Sequence, residues 1–300
     1  MKLNRMTLVE FEKLFQSEED CIGYLRETRW SEGFICPNCE HDVGYELSSR
    51  YLIQCAVCRR QTSVTAGTIF EKTHMPLTIW FRMIYAVAQD KGGASSSRLA
   101  IQFGIPQKTA WHMLHKIRTA MGSGNKLIEL TGNIELDEGF FCKEARKYQP
   151  APGTKTQVLV MVESLGKRAG DIIMRVIDGA SCDNIQEVVD QYTNDRHQHK
   201  FITDALQAHW VLHSMGHFLD IKRSPGVIGV QRLRWMHTFM SLARRFLMGT
   251  YHGVSPKMLQ LYLDEFCFRV NRRFQQSSLC QSLLRSCVFT LPITYAELKL

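Results

Sequence analysis

Two Cys-x-x-Cys pairs constrain this chain more than any other feature of its sequence. Cys36-Pro-Asn-Cys39 is followed, after fifteen residues, by Cys55-Ala-Val-Cys58. Zinc prefers four thiolates in a tetrahedron, and a Cys-x-x-Cys turn brings two sulfurs to one ion, so two such turns complete a site. Between the pairs, Tyr45-Glu-Leu and Tyr51-Leu-Ile-Gln read as short strands. A module this small cannot bury much apolar surface. The metal has to hold it together, and in finger peptides structural zinc contributes on the order of 10–16 kcal/mol. The spacing predicts a zinc ribbon with ligands Cys36, Cys39, Cys55 and Cys58. The other cysteines (Cys21, Cys142, Cys182, Cys267, Cys280 and Cys287) show no ligand spacing and read as core or surface thiols. Thiols in this pattern favour metal over disulfides and point to a reducing cytoplasm. Arg59 and Arg60 directly after the last ligand lean toward phosphate contact.

Composition narrows the rest. Of 300 residues, 45% are hydrophobic and 22% charged, an ordinary globular balance that excludes a disordered or fibrous chain and leaves room for two or three domains. No run of about 18 apolar residues suggests a membrane span, and the opening Met1-Lys-Leu-Asn-Arg-Met leads into an acidic amphipathic stretch, not a secretory signal. The net charge of +8 is unevenly spread: −2 over residues 1–70, +5 over 71–130, −4 over 131–220 and +9 over 221–300. Basic flanks suit a polyanion such as DNA, and an acidic centre suits metal ions.

Residues 76–90 read as a helix, with Pro76 in its first turn. The stretch 91–118 reads as a helix-turn-helix. Ser95 or Ser96 caps a helix carrying Leu99, Ala100 and Phe103; Gly104 permits the turn and Ile105 plugs the core. A second helix follows from about Gln107 with Trp111, Leu114 and Ile117 buried, which would offer Gln107, Lys108, His112 and His115 to a DNA groove.

Gly122-Ser-Gly-Asn reads as a linker, and after it the periodicity changes. Asn133–Glu138, Thr156–Glu163 and Asp171–Ile177 read as strands, with a hairpin loop at Gly166–Gly170. Residues 183–192 read as a helix and Lys200–Asp204 as a fourth strand. The order strand, strand, strand, helix, strand resembles an RNase H-like domain, in which the first and fourth strands are neighbours. Asp137 and Asp204 would then meet. Two close carboxylates repel unless a cation sits between them or one protonates, and Mg²⁺ is the natural hard-ion occupant.

Taken together, the sequence resembles bacterial insertion-sequence transposases with an N-terminal zinc ribbon and a DDE-type catalytic domain, the ISXO-like group. The resemblance rests on Arg29-Trp-Ser-Glu-Gly-Phe-Ile-Cys-Pro-Asn-Cys39, Ser63-Val-Thr-Ala-Gly-Thr-Ile-Phe70, Thr109–Met121, Leu136-Asp-Glu138, Thr203-Asp204, Gly249-Thr-Tyr-His-Gly-Val-Ser255 and Tyr262–Arg273. It implies a multidomain α/β chain: 1–70 an N-terminal helix and zinc ribbon, 71–125 a helix-turn-helix DNA-binding segment, and 126–300 an RNase H-like mixed α/β catalytic domain with a basic helical tail. It also implies an enzyme that cuts at element ends and joins them to target DNA. Asp137 and Asp204 would be metal ligands for Mg²⁺ or Mn²⁺, and the DNA partners would be terminal repeats and target. A homo-oligomer on DNA is expected, although no interface is legible, and the location is the bacterial cytoplasm, on the nucleoid.

The third catalytic position departs from the pattern. In similar proteins a helix before the Gly-Thr-Tyr-His turn carries Asn or Glu, then Lys seven positions on. Here those positions hold His237 and Arg244, two helical turns apart on one face. His237 serves as third ligand or proton carrier, or Glu138 completes the site, or this copy is an impaired enzyme that still binds DNA. Glu265, Arg269 and Arg272 share a helical face expected to meet DNA or support the site. His209, His213 and His217 recur every four residues, on one face of a helix expected after Asp204; zinc could use such spacing, but no acidic partner is evident.

Overall fold

The computed structural model describes residues 6–47, 50–142, 155–194, 198–204, 206–221 and 233–298. The chain divides into two compact units, 1–121 with 275–300, and 122–274.

The first unit opens with α1 (Leu8–Leu14) and α2 (Glu18–Arg29). Each starts with a capping box, Thr7 with Glu10 and Ser17 with Asp20, which satisfies N–H groups that have no partner inside the helix. The ribbon follows as β1 (Gly44–Leu47), β2 (Leu52–Cys55) and β3 (Gln61–Ser63), antiparallel in that order. Its third strand was not anticipated. The helix expected over 76–90 is α3 (Leu77–Gln89); Glu18 accepts the Leu77 and Thr78 N–H groups at 3.0 Å each, capping α3 from α2. Phe11, Phe15, Tyr24, Phe81 and Tyr85 stack as one aromatic cluster with centroids 4.5–5.8 Å apart.

Next come α4 (Ser96–Phe103) and α5 (Gln107–Asn125), joined by three residues; α5 runs on through 122–125, the stretch expected to be a linker. Ser95 caps α4, and Gly104 turns the chain at φ +63°, a conformation that costs glycine nothing. Leu99, Ala100, Leu114 and Ile117 are buried as expected. Ile105 and Trp111 are only half-buried. His115 is fully buried, not offered to a groove, because it lies on the same side of α5 as Leu114 and Arg118 and packs 4.2 Å from the Trp111 ring. Lys116 is also buried and donates to the Ile69 carbonyl at 2.9 Å. Part of the positive charge counted in this segment therefore lies inside the unit.

The second unit is a five-stranded sheet with helices on both faces. Its elements are β4 (Asn133–Cys142), β5 (Lys155–Ser164), β6 (Ala169–Ile177), α6 (Cys182–Tyr192), β7 (Lys200–Thr203), a 3-10 turn at Gln207–Trp210, α7 (Val211–Ser214), β8 (Phe218–Ile221), α8 (Arg234–Tyr251) and α9 (Leu259–Asn271). Strand order is β6-β5-β4-β7-β8; β4, β5 and β6 form an antiparallel meander, while β7 and β8 run parallel to β4. This is the RNase H-like topology that the element order suggested, with one further strand at its edge. Val158, Val160 and Val162 pack with Met236, Phe239 and Met240 of α8. Leu159 and Met161 pack on the opposite side with Ile185 and Val189 of α6. A strand covered on both faces is apolar throughout, hence the continuous run at 156–163.

The last helix, α10 (Leu279–Phe289), belongs with the first unit, not with residues 126–274. It buries Leu283, Leu284, Cys287 and Val288, it packs on α2 and α3, and the Cys287 carbonyl accepts from the Ile69 N–H. The boundary expected at residue 300 for the catalytic domain thus falls at 274. The face of Glu265, Arg269 and Arg272 is also corrected. Glu265 is fully buried and paired with Arg269 at 2.7 Å, and Arg272 lies over the Phe268 ring and reaches the Gly124 carbonyl; these groups brace the interior instead of facing DNA.

Candidate functional site

The ribbon cysteines converge. Cys36 and Cys58 sulfurs lie 3.5 Å apart, as do those of Cys39 and Cys55, and all four fall within 4.8 Å of one another. Two turns of identical form achieve this. In each, the first cysteine's N–H donates to the carbonyl five residues on, and its own carbonyl accepts from the N–H four residues on. The residue at that fourth position, Glu40 in one turn and Arg59 in the other, takes a left-handed φ of +58° or +61°. The Arg60 backbone N–H holds the Cys58 thiol down at about 6, toward the thiolate that binds metal. Four soft donors at tetrahedral spacing fit Zn²⁺. By contrast, burial pushes the thiols of Cys21 and Cys280 up to about 12, as suits inert core residues.

The acidic site is built by β4. Odd-numbered residues of this strand face α8 and even-numbered ones face α6. Glu135, Asp137 and Gly139 therefore share the α8 side. Glu135 is buried and accepts the N–H groups of Trp235 and Met236 at 2.8 and 3.0 Å. No side chain of α8's own sequence caps it, so this strand carboxylate satisfies its orphan donors. Burial nonetheless raises the Glu135 pKa above the ordinary range. Four residues on, Gly139 leaves room for Met240, whose side chain a Cβ would strike.

Asp137 and Asp204 come together through register. Ile134 pairs with Phe201 and Glu135 with Ile202 in the parallel β4–β7 ladder, and continuing that pairing sets Asp137 opposite Asp204 as β7 ends. Burial and then the Asp204 carboxylate push Asp137 up to about 7. A half-buried carboxyl destabilised by a second carboxylate is a donor set suited to a hard divalent ion.

The remaining candidates are arranged differently from expectation. Glu138 points to the α6 side, away from Asp137, and its Oε1 lies 2.9 Å from His209 Nε2; it does not complete the acidic pair. His237 lies in the first turn of α8, half-buried, close enough to Glu135 to draw that carboxyl down. Among the described residues the four cysteines are the one group of three or more potential metal ligands within 4.8 Å; Asp137, Asp204 and His237 do not make a second. Arg244 lies farther along. It donates to the Phe140 carbonyl at 3.2 Å, three residues or about 10 Å beyond Asp137 on β4. There it rims an apolar cavity of about 360 Å³ lined by Phe141, Leu247, Met248, Val254 and Leu259. His209, His213 and His217 do not share a helix: they fall on the 3-10 turn, on α7 and ahead of β8. The acidic partners of His209 are Glu138 and Asp204, one of them 71 positions away, a pairing that no local spacing could signal.

Paired cysteine turns ahead of an RNase H-like sheet, with Asp137 midway along β4 and Asp204 just past the end of the adjacent parallel strand β7, are the features in which this chain resembles zinc-ribbon DDE-type transposases. Residues 129–271 match the family model described as the ISXO2-like transposase domain, and residues 16–61 match the transposase zinc-ribbon domain. The chain thus carries a transposase zinc-ribbon domain followed by an ISXO2-like transposase domain. It is 26% identical over 289 residues to an uncharacterized protein in transposable element ISH50 of Halobacterium salinarum, across 86% of this chain and 92% of that protein. Solved structures similar to it include a pre-cleavage Mos1 transpososome, at 10% identity and a TM-score of 0.28, and the Mos1 transposase paired-end complex with left transposon end, at 8% and 0.22. Each covers 69% of this chain and 78% of that one. Among the described residues no helix is long and apolar enough to cross a membrane.

Proposed function

We propose that this transposase cuts DNA at the ends of its own element and joins them to target DNA by divalent-metal-dependent phosphodiester transfer. The observation that carries this reading is the Asp137–Asp204 pair, with Asp137 midway along β4 and Asp204 just past the end of the adjacent parallel strand β7, each carboxylate disfavouring a charge on the other. Asp137 and Asp204 would hold the metal. When bound, Mg²⁺ or Mn²⁺ supplies charge to the attacking and leaving oxygens of an in-line displacement. The chain's own part is to keep the two carboxylates rigid. Asp204 Oδ1 accepts the Leu206 N–H at 2.9 Å, and Asp137 Oδ1 accepts the Glu138 N–H at 2.8 Å. His237, on the α8 face of the sheet, is the candidate to move a proton or contact phosphate. Cys36, Cys39, Cys55 and Cys58 would hold a structural Zn²⁺ that orders the ribbon. Arg59, Arg60, the exposed start of α5 at Gln107 and Lys108, and the exposed Arg234 and Arg245 of α8 offer phosphate contacts.

A second reading, a DNA-binding protein with an impaired catalytic site, is favoured by one observation: the third position holds His237, outside a common ligand cluster with the aspartates. A cleavage and strand-transfer assay on the element's own ends, with Mg²⁺ or Mn²⁺, separates the two. Wild type joining ends while Asp137→Ala does not supports the enzyme. Wild type only binding while His237→Glu cuts makes this copy a disabled enzyme. If all three bind and none cuts, the chain is a binding module.

A further inference from the structure

We propose that His209 is a positioning residue that clamps the Asp204 carboxylate in the orientation needed to receive a divalent cation. This role rests on the reading of Asp204 as a metal ligand. Asp204 follows the last residue of β7, so the ladder no longer restrains it, and its side chain is 47% exposed. An acid in that place needs a second tether to keep one rotamer. His209 supplies it. The imidazole is fully buried, and its two nitrogens are engaged on opposite sides. Nε2 lies 2.9 Å from Oε1 of Glu138, which is itself largely buried and fixed on the central strand β4. Nδ1 lies 3.2 Å from Asp204 Oδ1 and 2.9 Å from the Thr203 hydroxyl, whose own proton goes to the Asp204 carbonyl at 2.7 Å. The ring thus ties the turn after β7 to the strand that carries Asp137.

The arrangement also explains Glu138. As a third carboxylate directly after Asp137 it adds to the repulsion there, behind burial and Asp204. Its own partner is His209, and through that contact it anchors the clamp. Groups that hydrogen-bond to metal ligands commonly change metal affinity by about 10–100-fold when removed.

The two ring nitrogens can be tested separately, because Asn places its amide near the Nδ1 position and Gln near the Nε2 position. The experiment measures Mn²⁺ binding to zinc-loaded, full-length protein by electron paramagnetic resonance, alongside thermal melting, for wild type, Asp204→Ala, His209→Ala, His209→Asn and His209→Gln. The expected result is a loss of at least about tenfold in Mn²⁺ affinity for His209→Ala and His209→Gln, and less than about threefold for His209→Asn. A merely structural histidine would not discriminate between the two amides in this way. Equal Mn²⁺ affinity in wild type and the His209 variants overturns the clamp, and so does equal loss in Asn and Gln. Should His209→Ala fail to fold, the Asn and Gln pair decides alone. If wild type binds no more Mn²⁺ than Asp204→Ala, the metal-ligand reading of Asp204 fails, and the clamp falls with it by a distinct route.

Discussion

The ribbon and the acidic site both gather metal-seeking side chains, and they are built in opposite ways. The ribbon takes all four ligands from two short turns within 23 consecutive positions, Cys36 to Cys58, with Ile53 one of the few apolar side chains buried there. Its backbone fold and its metal site are the same object. The acidic site takes its two aspartates from positions 137 and 204, and neither owes its place to the other. A sheet with apolar layers on both faces sets them side by side and leaves their charges unreconciled. Where local chain geometry makes the site, the metal should hold up the fold. Where a core makes the site, the fold should hold up the metal.

Removing zinc tests that contrast most strongly. A chelator, or Cys36→Ser, should abolish ordered structure in the ribbon, since the lost metal energy is on the order of 10 kcal/mol. Hydrogen exchange should then show amides of β1–β3 unprotected and those of β4–β6 unchanged. A ribbon that keeps its protection without zinc breaks the comparison.

Glu135→Ala strikes the other side. It strips the acceptor from the Trp235 and Met236 N–H groups at the start of α8, an expected cost of about 1–3 kcal/mol. The melting transition of the sheet unit should fall, with zinc content unchanged. Glu135→Gln, which keeps an acceptor oxygen, should recover part of the loss.

The strained aspartate gives a pH signature. Asp137 holds its proton up to about 7 in the fold, against an unperturbed value of 3.8. With a raised folded pKa, the native state binds the proton more tightly than the unfolded chain does. The metal-free protein therefore loses stability on this group's account as pH rises from about 4 to 7. Asp137→Asn removes the buried charge. In zinc-loaded protein kept free of Mg²⁺ and Mn²⁺, Asp137→Asn should match wild type near pH 4 and exceed it by about 2 kcal/mol above pH 7 in denaturant melts. Conversely, Mn²⁺ affinity of the wild type should fall by about tenfold per pH unit below 7, as proton and cation compete.

The smallest effect expected is at Ser181, which caps α6 by accepting the Asn184 N–H. Ser181→Ala should cost about 1 kcal/mol. The loss should register in sheet-unit melting alone, leaving both zinc content and Mn²⁺ affinity intact.

Much of this was legible in the sequence, for reasons that differ from residue to residue. The cysteine spacing is readable because a Cys-x-x-Cys turn folds within its own few residues. Gly104 and Ser95 announce the α4–α5 corner through backbone freedom and capping, both local effects. The Val-Leu-Val-Met-Val run betrays a doubly covered strand, and the element order places β7 beside β4. His115 is buried where the periodicity expects exposure, because helical periodicity gives relative faces, not which face finds a neighbour. α10 was assigned to the wrong unit because its apolar stripe does not name its partner. Glu138 and His209 carry no local mark at all. One was considered as a third acid and the other as a histidine without an acidic partner, and each turned out to answer the other.

What the sequence by itself determined is therefore everything that short-range geometry controls: the zinc knuckles, the helix caps and turns, the alternation of strands, and the family those motifs define. Tertiary structure alone decided which carboxylates meet. It set Asp137 against Asp204 through a parallel register, turned Glu138 to the opposite face by the two-residue pleat, and made Glu135 the cap of a helix a hundred positions away. The reason is physical. Caps and knuckles are closed by bonds between near neighbours, whereas a site spread over separate strands exists only after burial of a common core has brought those strands together.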